Sequence, residues 1–122
     1  MTNKALGGFG EAWAVGYLAR KGYRILERNV RYRCGELDIV AREGSDIVFV
    51  EVKCRRTARY GAPQSSITPA RFEHLNRAIA EYVQVHGLED QNYRIDVVAI
   101  VVGKGGAVVR AELLQGVEAP GA

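Results

Sequence analysis

The 122-residue chain has few cysteines, no long apolar run and no histidines at metal-ligand spacing, and each shortage removes a class of function. Cys34 and Cys54 form no Cys-x-x-Cys and have no flanking histidine, so neither a zinc site nor a redox pair is indicated. The longest uncharged apolar stretch, residues 97–102, falls far short of the ~20 residues that a membrane-spanning helix needs. The opening residues carry a single charge, Lys4, and no continuous apolar segment, unlike a secretory signal, so a cytoplasmic protein is expected. Internal repeats and low-complexity segments are absent. Gly103-Lys104-Gly105-Gly106 lacks the Walker spacing and reads as a turn between strands. His74 and His86 lack a ligand partner at helical spacing, and nothing supports a Ser-His-Asp triad or a dinucleotide fingerprint.

What is present is ordinary in amount and uneven in distribution. Hydrophobic residues at 48% and charged residues at 25% describe a globular chain, and the length suits one domain over residues 1–122. Residues 1–60 hold twelve Lys and Arg against seven Asp and Glu, whereas residues 61–122 hold five against seven. Thirteen of the seventeen cations are Arg, whose planar fork suits phosphate oxygens. A polyanionic partner and a merely solvated basic face are about equally compatible with this balance.

Apolar residues recur at helical spacing over residues 4–21, with Leu6, Phe9, Trp13 and Tyr17 on one side and Ala14, Val15 and Leu18 on another. Residues 23–32 partly alternate, as a strand with a basic outer face would. Residues 37–42 and 47–54 form stronger strands around Glu43-Gly44-Ser45-Asp46, and this pattern predicts a hairpin. Thr68 as N-cap, Pro69 at the first position and Gly87 past the end bracket a second helix, with Phe72, Leu75, Ile79, Tyr82, Val83 and His86 on one face. Residues 93–102 and 107–114 are further strands. The order α-β-β-β-α-β-β predicts an α/β domain with a central mixed sheet, and residues 55–67 are its one longer loop. Residues 107–114 are a candidate exposed edge that pairs with another chain.

The hairpin carries the chemistry. A four-residue turn sets Asp38 opposite Glu51 and Glu36 opposite Lys53, while alternation puts Glu51 and Lys53 on one face and Val48, Val50 and Val52 on the other. Two carboxylates about 5 Å apart destabilise a sheet unless something offsets them. A Mg²⁺ ion would, because it takes one or two carboxylates plus waters and phosphate oxygens. Lys53 would then orient a water or offset charge developing on phosphorus oxygens. The alternative is a structural ion-pair cluster of the same residues. Glu11 falls among Ala14, Val15 and Leu18 on the helical wheel, where a carboxylate needs a partner or the helix N-terminal dipole. Asp96 interrupts an apolar strand and calls for a buried hydrogen-bonding partner. Arg55, Arg56 and Arg59 follow Lys53 closely enough to clamp a DNA backbone, Tyr60 to stack on a base or sugar, and Arg28, Arg31 and Arg33 to extend the surface; a solvated basic loop fits these residues nearly as well.

Gly10-Glu11, Tyr17-Leu18, Gly22-Tyr23-Arg24-Ile25-Leu26, Asn29-Val30-Arg31, Gly35-Glu36-Leu37-Asp38-Ile39-Val40-Ala41, Val48-Phe49-Val50-Glu51-Val52-Lys53, Tyr60-Gly61-Ala62-Pro63 and Arg94-Ile95-Asp96-Val97-Val98-Ala99-Ile100 together resemble the bacterial YraN-like family. That family is similar to the restriction-endonuclease-like PD-(D/E)xK nucleases and to archaeal Holliday-junction resolvases. The resemblance implies a restriction-endonuclease-like fold, with Asp38, Glu51 and Lys53 as the catalytic core and Glu11 as an additional helix carboxylate. It implies Mg²⁺- or Mn²⁺-dependent phosphodiester hydrolysis, with Asp38, Glu51, the Val52 carbonyl and Glu11 around the metal. DNA, branched DNA included, is the implied partner, and resolvase relatives act as homodimers. Glu36-Leu37-Asp38 stands in place of the superfamily's Pro-Asp, Cys54 where Thr is usual and Ser66 where Ala is usual. The competing reading is a catalytically silent nucleic-acid-binding or scaffolding module on the same fold.

Overall fold

A computed structural model describes residues 2–57 and 67–118. Helix α1 (Asn3–Arg20) leads into strands β1 (Arg24–Tyr32), β2 (Gly35–Glu43) and β3 (Asp46–Arg56), followed by helix α2 (Pro69–His86) and strands β4 (Tyr93–Val102) and β5 (Val108–Leu114). The strands form one five-stranded sheet in the order β1-β2-β3-β4-β5. Only the β3–β4 pair is parallel, as a crossover through α2 requires; the other pairs are antiparallel. The α/β architecture and the element order are those expected. Neither helix is long and apolar enough to cross a membrane.

The ends of the helices follow from local chemistry. Thr2 caps α1 by accepting from the Ala5 amide at 3.0 Å, and Thr68 caps α2 by accepting from the Arg71 amide at 3.2 Å. Pro69 occupies the first turn of α2, and Gly87 closes it with φ 63°, a left-handed conformation that glycine adopts without a Cβ penalty.

Each helix covers one face of the sheet. Leu6, Ala14 and Leu18 of α1 pack on Ile39, Ala41, Val48, Val50, Val98 and Ile100. Phe72, Leu75, Ile79 and Tyr82 of α2 pack on Leu37, Val40, Ile47, Phe49 and Val97. Both cores are made of side chains almost wholly removed from water. Among the described residues the charged side chains that are buried are Glu51 and Asp96. Asp96 has the partners its position demands. Its Oδ2 accepts from the Tyr23 hydroxyl at 2.6 Å, and its Oδ1 accepts from Arg94 Nε at 3.0 Å and from the Gly116 amide at 2.9 Å. Arg94 also reaches Glu43 and Asp46, so this network ties α1's exit, the hairpin turn and the chain after β5 to the sheet.

Two expectations need correction. Arg55 and Arg56 are not loop residues: β3 continues through them, because the apolar strand β4 offers Val101 and Val102 as parallel partners. The hairpin register is the one expected from Glu43–Asp46 to Ile39–Val50, but the backbone ladder ends there. Glu36 therefore faces Arg31 across β1, not Lys53.

Candidate functional site

The site begins where the β2–β3 ladder stops. Residues two apart on a strand ordinarily share a face, yet Leu37 belongs to the α2-side core and Ile39 to the α1-side core. The phase of β2 thus reverses at Asp38. The strand opposite shows the cause: Arg28 pairs with Ile39 and Val30 with Leu37, and Asn29 between them has φ 52°. Asparagine is among the few residues that tolerate this left-handed conformation. The reversal turns the Asp38 carboxylate toward β3, where its Oδ2 accepts from the Val52 amide at 2.9 Å. A side chain has taken the place of a ladder bond.

Glu51 sits on the face of β3 that looks toward α2, and it is 6% exposed. Its carboxylate hydrogen-bonds with Asp38, and burial together with the nearby Glu51 charge pushes the Asp38 carboxyl up to about 8, against the pull of the Val52 amide. Glu51 is neutralised from the other side by Arg71 of α2, whose Nε and Nη2 donate to Oε2 and Oε1 at 2.6 and 2.8 Å. Arg71 Nη2 also lies 3.3 Å from the Glu36 carbonyl oxygen.

Glu11 reaches the same place from α1 because Gly10 lets the helix lie against β3. A Cβ on Gly10 would stand 2.6 Å from Cys54 Cβ and 3.1 Å from its Sγ. The backbone of α1 is therefore as near to the strand as a glycine permits, and the following residue projects into a cleft of about 430 Å³. Gly7, Glu11, Glu36, Asp38, Val52, Lys53, Cys54, Arg55 and Ile100 line that cleft. Glu11 Oε1 is buried without a hydrogen-bond partner among the described residues. Burial raises its pKa, Glu36 and Glu51 add to the rise, and the charges of Arg28 and Arg31 oppose it.

Comparison with known proteins places this arrangement in a family. The profile of the uncharacterised protein family UPF0102 matches residues 10–100, a span holding every one of the side chains just described except Gly7. The chain belongs to family UPF0102. A UPF0102 protein of Geobacter sulfurreducens is 50% identical over 100 residues, covering 82% of this chain and 78% of its own. Another, from Syntrophus aciditrophicus, is 44% identical over 113 residues, covering 93% and 87%. A third, from Moorella thermoacetica, is 42% identical over 116 residues, covering 95% and 97%.

Of the residues expected at the UPF0102 site, the structure brings together Glu11, Asp38, Val52, Lys53 and Arg55 around one cleft, with Glu51 behind Asp38. Arg31 and Arg33 lie to one side, in a groove with Tyr32, Gly35, Glu36 and His74. Arg31 Nε is 3.5 Å from Glu36 Oε2. Arg56 points the other way, donating to Asn3 Oδ1 at 3.0 Å. Arg59, Tyr60 and Ser66 lie outside the described residues. Sequence reasoning missed Arg71. A signal for it existed, since Arg71 stands four residues before buried Leu75, at the head of α2's apolar stripe.

The donors suit a hard divalent cation. Asp38 and Glu51 offer neighbouring carboxylate oxygens between which a cation would fit, and Glu11 adds a buried oxygen with no donor among the described residues. Among the described residues no three such side chains are gathered into one coordination group. Two carboxylates with waters and a phosphate oxygen are what Mg²⁺ ordinarily takes, so the fit needs no third protein carboxylate.

Proposed function

We propose that this UPF0102 protein is a Mg²⁺- or Mn²⁺-dependent nuclease that hydrolyses phosphodiester bonds in DNA, branched DNA being the substrate class suggested by its resemblance to junction resolvases. The observation that carries the reading is the pairing of Asp38, turned out of its strand onto the Val52 amide, with buried Glu51 at a cleft that also holds Lys53 and a Glu11 oxygen with no hydrogen-bond partner among the described residues. Carboxylates drawn together at a break in a sheet are costly to folding, and they are accounted for if a cation is their working partner.

When bound, the cation supplies Lewis acidity toward a phosphate oxygen and toward an attacking water. Asp38, Glu51 and the Val52 carbonyl are the groups that would hold it. Lys53 places an ammonium where charge develops on the phosphoryl oxygens. Glu11 Oε1 accepts a hydrogen bond from a water and so orients it. Arg55 at the cleft, with Arg31 and Arg33 along the adjoining groove, meets neighbouring backbone phosphates, which positions the strand without reading its sequence. Arg59 and Tyr60 extend this contact in the proposal, whereas Arg56, engaged with Asn3, takes no part in it. The β5 edge of the sheet is the surface that would pair two copies.

One observation favours the second reading, a silent DNA-binding module: Arg71 already neutralises Glu51. The two are separated by incubating the protein with end-labelled four-way junction, flap, single-stranded and duplex DNA, in Mg²⁺, Mn²⁺ or chelator, and following cleavage and mobility shift together. Metal-dependent cutting supports the nuclease. A salt-sensitive shift with every strand intact supports the module, because phosphate contacts release counterions.

A further inference from the structure

Both oxygens of Glu51 are spoken for. Arg71 grips them through a two-point, charge-assisted fork at 2.6 and 2.8 Å, with side chains only 27% and 7% exposed. Such a pair is shielded from the solvent screening that makes surface ion pairs weak. A divalent cation approaching the same oxygens would meet a guanidinium already in place, and two positive charges within a few ångströms repel. Cation binding therefore requires the guanidinium to withdraw from at least one oxygen.

The backbone under Arg71 does not need to move for this. Thr68 caps the first turn of α2 by accepting the Arg71 amide, so the Cα is anchored and withdrawal falls on the long side chain alone. The guanidinium's third contact, Nη2 to the Glu36 carbonyl at 3.3 Å, is long for a hydrogen bond and lies toward the cleft that Glu36 helps to line. A displaced guanidinium seeks an anion with two adjacent oxygens, and a phosphodiester provides one.

Building on the nuclease reading, we propose that Arg71 is a lock on the carboxylate pair, holding Glu51 in the cation-free protein and releasing it when a backbone phosphate takes the guanidinium. Cation and nucleic acid then bind cooperatively, each by the same factor for the other, as linkage demands. The site is kept weak for free metal ions and becomes competent on a bound strand.

The test is calorimetric titration of Mn²⁺ into the wild-type chain, Arg71→Ala and Arg71→Lys, without nucleic acid and with folding checked by circular dichroism. Arg71→Ala binds Mn²⁺ at least tenfold more tightly than wild type, and Arg71→Lys, which keeps the charge but loses the fork, falls between them. A purely structural pair predicts the opposite, since Glu51 loses the group that orients it: equal or weaker binding by Arg71→Ala overturns the lock while leaving the metal site standing. If Arg71→Ala does not fold, Arg71→Lys alone decides, with affinity no higher than wild type overturning the lock. No Mn²⁺ binding by any of the three proteins overturns both the lock and the nuclease reading. In a Lys53→Ala background, used to prevent turnover, a short DNA duplex tightens Mn²⁺ binding several-fold more when Arg71 is present than in Arg71→Ala, where only the phosphate oxygen offered to the cation contributes. Equal tightening in both removes the phosphate step.

Discussion

Gly10 is the position where packing and site geometry meet, and replacing it separates the two. An alanine Cβ there would stand 2.6 Å from Cys54 Cβ, an atom fixed to the β3 backbone, so α1 must tilt or lift. Overpacking of this kind costs about 1–3 kcal/mol. Against it stands the helix-propensity gain of alanine over glycine, about 1 kcal/mol. Gly10→Ala is therefore neutral to about 2 kcal/mol destabilising by these magnitudes. Gly8 on the same helix is the control, because its added Cβ meets nothing within 4 Å. Gly8→Ala keeps the propensity gain alone and stabilises by about 0.5–1 kcal/mol, or roughly 2–5 °C for a chain of this length. Thermal melts of both proteins read the difference. Adding Cys54→Gly to Gly10→Ala removes the colliding atom and recovers part of the loss, a coupling visible in a double-mutant cycle. DNA cleavage falls with Gly10→Ala, since Glu11 moves with the helix, and not with Gly8→Ala. If Gly10→Ala raises the melting temperature as much as Gly8→Ala, the close approach of α1 to β3 is refuted.

Other consequences can be checked on the same protein. The folded chain keeps the Asp38 proton up to about pH 8, whereas the unfolded chain releases it near 4, so metal-free stability falls as pH rises between these values. Asp38→Asn lacks that proton and retains an acceptor for the Val52 amide; its gain in melting temperature is larger at pH 8 than at pH 4, and a gain equal at both pH values would contradict the raised Asp38 pKa. Asp96→Ala leaves Arg94 and the Tyr23 hydroxyl without their buried partner and costs about 3–5 kcal/mol in urea unfolding. Tyr23→Phe, which removes one donor from the same network, costs about 1–2 kcal/mol, and neither loss depends on divalent cations.

Much of this was legible in the sequence where local chemistry and burial point the same way. Thr68-Pro69 and Gly87 mark the ends of α2, and the apolar stretch through Ile95 and Val102 marks β4, because caps and buried strands impose narrow residue choices. The turn over Glu43–Asp46 set the hairpin register for the same reason. The illegible parts depend on partners distant in sequence. β3 runs on through Arg55 and Arg56 because β4 lies beside them, and no local signal distinguishes such arginines from loop residues. The turn of Asp38 out of its strand's alternation depends on the left-handed Asn29 across the sheet. Arg71 was overlooked because a charge in a helix's first turn usually faces water. Its place at the head of a buried stripe, and the presence of Glu51 on a buried strand in need of a cation, were the two halves of a signal that must be read together.

In the proposed function Asp38 and Glu51 hold a catalytic cation. Single-turnover cleavage of the most readily cut DNA structure in Mn²⁺, by wild type and by folded Asp38→Asn, tests it most directly. Wild type cuts, chelator abolishes the cutting, and Asp38→Asn loses at least a hundredfold despite its higher melting temperature. Cutting by Asp38→Asn at the wild-type rate would contradict it.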